Sequence, residues 1–370
     1  MNKFFKQFSK VRLVSIFLFT TIVIVVVFYF GNIFPIKYDQ ASGLLENDIV
    51  KKIPQLDKAL YDAKLEQLAN NPVVVPPATP VVVDPNKAPA KTVEVKPNLW
   101  PVKTVYPNAG AILPFSRVVA YYGNFYSKKM GALGEYPEDE MLVKLTNEAK
   151  KWQVADPNTP TIPAIHYIAV TAQGSAGADG KYRLRMPDKE IDKALAMAKK
   201  VNGLVFLDIQ VALSDLHSEL PPLEKYLKMP EVHLGIDPEF SMKTGKKPGS
   251  VIGTFDAVDV NYAAEFLARI VKENNLTPKI LVVHRFTGPM VTNYKNIKPL
   301  PEVQIVMDMD GWGIQARKLN TYREVIYKQP VQFTGFKLFY KNDFREKGSR
   351  MLTPEEVLKL RPKPIYIQYQ

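Results

Sequence analysis

Cysteine is absent from the 370-residue sequence. That excludes disulfides, thiolate metal sites, a cysteine nucleophile and a lipid-modified cysteine near the N-terminus. Histidine is scarce: His166, His217, His233 and His284 are the whole supply, and they lie far apart in sequence. A dense zinc site is therefore not expected from spacing, and no cofactor is expected either. Concentrated positive charge is also missing. The net charge of +12 divides into +5 over residues 1–114 and +7 over 115–370. No basic run with interleaved aromatics appears, which argues against a nucleic-acid partner. With 46% apolar and 23% charged residues, the chain is neither wholly disordered nor fibrous, and its length suits roughly two domains' worth of sequence.

Charge is absent altogether from Leu13 to Ile36, 24 residues. At 1.5 Å per residue this is about 36 Å of helix, against a bilayer core of about 30 Å. Lys3, Lys6, Lys10 and Arg12 precede it without an acidic residue. The reading is a basic cytoplasmic tail over 1–12 and a transmembrane helix over 13–36. The positive-inside rule places the rest outside, on the extracytoplasmic face of a cell membrane. A cleaved signal peptide is the competing reading, but Phe28, Tyr29 and Phe30 stand where small residues would be needed. Leu45, Ile49, Ile53, Leu56 and Leu60 recur at three- and four-residue spacing, with Leu68 two turns on. They suggest a juxtamembrane amphipathic helix over 37–71, interrupted at Pro54. Ten prolines follow in residues 72–114, with no glycine before Gly110. Such a segment favours extended conformations and reads as a semi-rigid linker or a simple tether.

From residue 115 to 370 the pattern changes. Eight short apolar runs rich in Val, Ile, Phe and Tyr begin at 117, 162, 203, 232, 279, 303, 333 and 364. Helical stretches lie between them near 138–151, 188–200, 214–228, 256–275, 288–297, 313–327 and 354–360. Asp256 is placed to cap the fourth, whose stripe is Ala263, Phe266, Leu267, Ile270 and Val271. Continuously apolar strands separated by helices indicate a parallel sheet covered on its outside. Eight such units in about 250 residues match a closed (β/α)8 barrel of the TIM type. An open doubly wound sheet is the alternative. It would carry a glycine-rich phosphate loop after the first strand, and GNFYSKKMGALG (123–134) lacks that spacing.

Barrels of this type place their chemistry at the C-terminal ends of the strands, and here those ends are polar. Strand by strand they offer Tyr121 and Tyr122; Asp208 and Gln210; Asp237 and Glu239; His284 and Arg285; Asp308 and Asp310; Lys337; and Gln368. Asp237 and Glu239, two residues apart in a strand, would share a face at about 6.6–6.8 Å along the chain. Two carboxyls at such a distance can divide into an acid and a base or nucleophile, the chemistry of glycoside hydrolysis. Asp208, Asp308 and Asp310 are the further candidates for that role. The competing assignment makes these carboxylates loop caps or partners of Lys243, Arg285 or Lys337. Lys337 reads first as a neutralising cation, with a hold for an anionic substrate or a Schiff-base amine as alternatives, and His284 first as a hydrogen-bonded strand-end histidine, with a proton carrier or a ligand as alternatives. Oxygens of Asp208, Asp237 and Asp308 could converge on a divalent cation, but the favoured reading has no metal. Trp312 with Tyr121 and Tyr122 could form a platform for sugar rings, Gln210, Arg285 and Gln368 adding polar contacts. GSAGADGKY (174–182) reads as a glycine-rich lid loop.

The series LDIQ (207–210), GIDPEF (235–240), VIGTFDAVDVN (251–261), LVVHRFT (281–287), MDMDGWG (307–313) and GFKLFY (335–340) resembles a family of secreted, often lipoprotein-type bacterial barrel proteins with no assigned activity. That resemblance implies an extracytoplasmic barrel and lends no reaction. A weaker similarity is to muramidase and chitinase-like glycoside hydrolase barrels, carried by the Asp-x-Glu at 237–239. The sequence departs from the muramidase pattern in having no aspartate in VVAYYGN (118–124). It departs from barrels with paired catalytic glutamates in having Lys337 on the seventh strand. Two expectations of different class follow. One is a membrane-anchored, glycoside-hydrolase-like protein acting on an envelope polysaccharide or peptidoglycan. The other is a non-catalytic barrel that binds such a glycan, or an envelope protein, through the same polar mouth.

Overall fold

A computed structural model describes residues 54–72 and 98–370. The expected tail (1–12), the apolar segment 13–36, residues 37–53 and residues 73–97 of the linker lie outside the described residues. Among the described residues no helix is long and apolar enough to cross a membrane.

Eight parallel strands form the centre: β1 (Arg117–Gly123), β2 (Thr161–Ala172), β3 (Leu204–Ile209), β4 (Val232–Ile236), β5 (Lys279–Arg285), β6 (Val303–Met309), β7 (Phe333–Leu338) and β8 (Tyr366–Tyr369). Each pairs with the next in chain order, and β1 pairs with both β2 and β8, so the sheet closes on itself. This is the (β/α)8 barrel that eight apolar runs at regular spacing require. All seven residues of β1, β5 and β6 are buried, because one face packs inward and the other lies under helices.

Helices α2 (Glu138–Ala155), α3 (Asp188–Lys200) and α4 (Ala257–Glu273) lie outside the barrel. Asp256 caps α4 by accepting from the Val258 amide, and Asp259 accepts from the Asp256 amide, a reciprocal capping box. Two expected helices are altered. Residues 288–297 are not a helix: two 3-10 turns flank the short strand Val291–Thr292, which pairs with Phe255–Asp256. Gly288, Pro289 and the left-handed Asn293 (φ 54°) are incompatible with a continuous helix there. Residues 214–228 break into Leu216–Glu219, Pro221–Leu223 and Glu224–Leu227 at the Pro221–Pro222 pair.

The N-terminal end of the barrel is plugged from outside the strand–helix repeat. Helix α1 (Lys58–Ala69) begins after Pro54, capped by Asp57, whose carboxylate accepts from the Leu60 amide at 2.9 Å. Its inward stripe is Tyr61, Leu65 and Leu68, while Leu60 faces solvent. Tyr61 and Leu113 join Val118, Ala120, Ala164, Phe206, Ile280, Val282, Val306 and Tyr366 in one apolar cluster inside the barrel floor. The Gln304 side chain fastens this plug: its Oε1 accepts from the Ile112 and Leu113 amides at 3.1 and 3.0 Å, and its Nε2 donates to the Leu113 carbonyl. Trp100 is buried and donates to the Tyr327 carbonyl. The described parts of 54–72 and 98–116 thus belong to the same body as the strands.

Candidate functional site

Alternation along the strands sorts the polar residues into layers. Side chains two apart share a face, and on the inward face apolar residues give way to polar ones toward the C-terminal end. Val118 and Ala120 lead to Tyr122 on β1, Ala164 to His166 on β2, and Phe206 to Asp208 and then Gln210 along and beyond β3. Val282 leads to His284 on β5, and Val306 to Asp308 and Asp310 along and beyond β6. The result is a buried middle layer of His166, Asp208, His284 and Asp308, all fully inaccessible. Above it lies a cavity of about 500 Å³.

Two glycines make the middle layer fit. A Cβ on Gly235 would lie 2.4 Å from both Asp208 Oδ1 and His166 Nε2, and one on Gly335 would lie 2.4 Å from Asp308 Oδ1. Only a backbone without a side chain allows the carboxylates and the imidazole to pack there. Tyr122 forms the boundary between the layers. Its hydroxyl donates to Asp208 Oδ2 at 2.8 Å and accepts from Gln210 Nε2 at 3.2 Å, and the Lys337 ammonium stands 3.8 Å above its ring.

The cavity is lined by Tyr122, Gln210, Asp237, Glu239, Asp310, Trp312 and Lys337 among the residues singled out from sequence. Asp237 and Glu239 do not come together as strand neighbours. β4 ends at Ile236, and Pro238–Phe240 forms a 3-10 turn in which Asp237 Oδ1 accepts from the Glu239 amide at 3.0 Å. Proline, lacking an N–H, ends the ladder before Glu239, where the strand argument requires it to continue. Asp237 Oδ2 accepts from Gln210 Nε2 at 3.3 Å. Burial pushes the Asp237 carboxyl well above the usual range, and the Glu239 and Asp208 charges add to it. Glu239 is raised to about 7, first by burial and then by the facing Asp310, with Lys337 and His284 opposing. Asp310 Oδ1 is paired with Lys337 Nζ at 3.0 Å, and its Oδ2 lies 3.4 Å from His284 Nδ1.

The remaining sequence candidates lie elsewhere. Asp208, Asp308 and His284 are in the buried layer, not on the cavity wall. Tyr121 points out of the barrel, where its hydroxyl meets that of Tyr340 at 2.7 Å. Arg285 also points outward: its guanidinium donates to the carbonyls of Thr287, Gly288 and Val291 and to the Gln329 side chain, holding the 286–291 turn. Gln368 is buried beside Tyr366 and His166. The 174–182 loop joins β2 to Arg183–Arg185, which pairs antiparallel with it, and does not line the cavity. Phe240, Phe286, Phe339, Arg317 and Asn342 line the cavity without having been anticipated. Most sit in loops beyond the strand ends, where no periodicity marks them. His166 was also missed, although its position midway in an apolar run, on the parity of Ala164, was the available signal.

No protein-family model and no curated protein matches the sequence. Among solved structures the chain is similar to the cellulose synthase subunit Z from Clostridioides difficile, at 11% identity and a TM-score of 0.35 over 69% of this chain and 92% of that one. It is similar also to a GH5-4 endoglucanase from an uncultured bovine rumen ciliate (10%, 0.35, 64% and 77%). A third is the Bacillus subtilis mannanase BCman (11%, 0.36, 70% and 81%). At such identities and scores these likenesses carry no argument for this chain. The barrel rests on its own strand register and the site on its own geometry.

Proposed function

We propose that the barrel acts on a glycan, as a glycoside-hydrolase-like enzyme. The observation that carries this reading is the convergence of Glu239, Asp237 and Asp310 on one cavity at the C-terminal mouth, beside the half-exposed ring of Trp312 and the rings of Tyr122, Phe286 and Phe339. Apolar ring faces with a few carboxyls suit a sugar, which offers C–H faces and hydroxyls together. Glu239, holding a proton near neutral pH, is the general acid. It gives that proton to the leaving glycosidic oxygen as the C–O bond breaks. Asp310, paired with Lys337, stabilises the positive charge growing at the anomeric carbon and takes the proton of the incoming water. Asp237 positions the turn that carries Glu239. With residues 13–36 as a membrane anchor, the substrate would be an extracytoplasmic polysaccharide or peptidoglycan.

The Lys337–Asp310 pair favours a second reading. An ammonium occupies the place where paired-acid barrels need a second carboxylate, which suits a barrel that binds a glycan without cleaving it. The test is reducing-end release by the full-length chain from peptidoglycan and a panel of polysaccharides. Release should fall by about 10²–10⁴-fold in Glu239→Gln, and in the parent it should decline as pH rises through about 7. Binding to one of these glycans without release, unchanged in Glu239→Gln, would establish the second reading.

A further inference from the structure

The middle layer under the cavity floor contains more polar atoms than it satisfies. His166 Nε2, His284 Nε2 and Asp208 Oδ1 are buried and have no hydrogen-bond partner. Each imidazole nitrogen nonetheless lies 3.4 Å from the same Asp208 oxygen, and the three atoms fall within 4.8 Å of one another. That spacing is long for an N–H···O bond, whose usual range is 2.7–3.2 Å. The two imidazole–carboxylate distances match edges of a coordination polyhedron: two ligand atoms each about 2.0–2.1 Å from one ion, at a tetrahedral angle, stand about 3.3–3.4 Å apart.

We propose that His166 Nε2, His284 Nε2 and Asp208 Oδ1 bind a divalent transition-metal ion of the zinc class inside the barrel, beneath Tyr122. The surroundings are those of metal ligands. The second nitrogen of His284 faces Asp308 Oδ2 at 3.3 Å and Asp310 Oδ2 at 3.4 Å. Both distances are longer than a hydrogen bond, and His284 Nδ1 and Asp308 Oδ2 have no partner as they stand; a carboxylate behind an imidazole is the arrangement that, drawn in by a few tenths of an ångström, holds the Nδ1 proton and turns the Nε2 lone pair toward an ion. His166 Nδ1 lies 2.5 Å from the Tyr366 hydroxyl, whose oxygen can accept the Nδ1 proton and so leave Nε2 bare, while the Gln368 amide nitrogen donates to that same hydroxyl at 2.9 Å. Tyr122 occupies the other oxygen of Asp208 and leaves Oδ1 free. Gly235 keeps the facing strand bare beside Asp208 Oδ1 and His166 Nε2. Charge points the same way. Asp208, Asp308 and Asp310 are gathered with one ammonium, Lys337, and two imidazoles, Asp237 and Glu239 lying above them, and a dication offsets the excess of carboxylate. Two imidazoles with one carboxylate suit zinc better than the oxygen-only preference of calcium or magnesium.

The proposal is independent of glycan cleavage, because the ligands lie below the cavity and not on its wall. The experiment is elemental analysis of the full-length chain, purified without chelator, followed by thermal unfolding before and after chelation. About one equivalent of zinc-class metal is expected, with a fall in Tm on chelation and recovery when Zn²⁺ is restored. Replacement by Co²⁺ should give the visible absorption of a low-coordinate nitrogen–oxygen site. His284→Gln and Asp208→Asn should lose the metal, whereas Glu239→Gln should keep it. If a ligand variant fails to fold, the chelation and cobalt measurements on the parent still decide the matter. Less than about a tenth of an equivalent, with Tm unmoved by Zn²⁺ or chelator, would overturn the proposal. So would a metal that stays in His284→Gln but leaves in Glu239→Gln, since it would then sit in the cavity above.

Discussion

A single methyl group is the sharpest probe of the polar layer. Gly235→Ala would put a Cβ 2.4 Å from a carboxylate oxygen and an imidazole nitrogen that are themselves fully buried. Neither ring nor carboxylate has free space to retreat into, so the backbone of β4 must shift. Overpacking of this kind costs about 1–3 kcal/mol, and unfolding in denaturant should show it as a lower midpoint. A control in an open position, Gly245→Ala, meets no atom within 4 Å but sits at φ +74°, so its cost is purely one of backbone strain. Glu239 allows a second probe. Its folded pKa near 7 lies above the unfolded 4.5, so the folded state binds its proton more tightly. The stability this contributes is full below about 4.5 and is lost as pH rises through about 7. Asp310, Lys337, His284 and Asp237 are the charged and titratable groups around it. Glu239→Gln should flatten that part of the stability–pH curve, and an unchanged slope would show that the carboxyl is not held protonated.

Elements show where sequence reading works and where it stops. The eight strands are legible because burial on both faces demands uninterrupted apolar runs, and KILVVHRF or VQIVMDMD can satisfy nothing else at that length. α4 is legible because a cap and a one-sided stripe mark it. The 288–297 stretch was misread because Gly288–Pro289 and Asn293 act through backbone geometry that an apolar stripe does not record. In the site, strand-borne Tyr122 and Lys337 and the adjoining Gln210 and Asp310 follow from parity. Tyr121 and Arg285, one position out of phase with Tyr122 and His284, turn to the outside, and parity applied to each strand would have excluded them. The meeting of His166 with His284 was hidden, since only barrel closure brings positions 118 residues apart into one layer. At this scale α1 makes its own prediction. The Tyr61 ring is buried in the barrel floor, yet its hydroxyl has no hydrogen-bond partner. Tyr61→Phe removes that unsatisfied group and should raise stability by about 1 kcal/mol. Tyr61→Ala should lower it by about 3–5 kcal/mol. If Phe destabilises as much as Ala, the hydroxyl is bonded and the packing of α1 differs.

At the scale of the whole molecule, the question is where the folding unit begins. The strand–helix repeat starts at Arg117, but the floor of the barrel is completed by residues that precede it. Tyr61 and Leu113 are nearly fully buried there, and Trp100 is nearly fully buried where it donates to the Tyr327 carbonyl. Burial of one large apolar side chain is worth about 1.5–3 kcal/mol, so the three together approach the lower end of the ~5–15 kcal/mol that separates a folded domain from its unfolded chain. Removing them would also strand Gln304, whose amide holds both the Ile112 and Leu113 backbones and would face an open apolar floor. A fragment of residues 115–370 should therefore unfold at a markedly lower temperature than one of 54–370, and should bind an apolar dye that the longer fragment does not. The upper cavity, at the other end of the barrel, is untouched by the cut. Whatever glycan binding survives in the short fragment at low temperature should match that of the long one. Equal unfolding temperatures would show that the eight strands are sufficient by themselves, and that α1 and residues 98–116 merely rest on their floor.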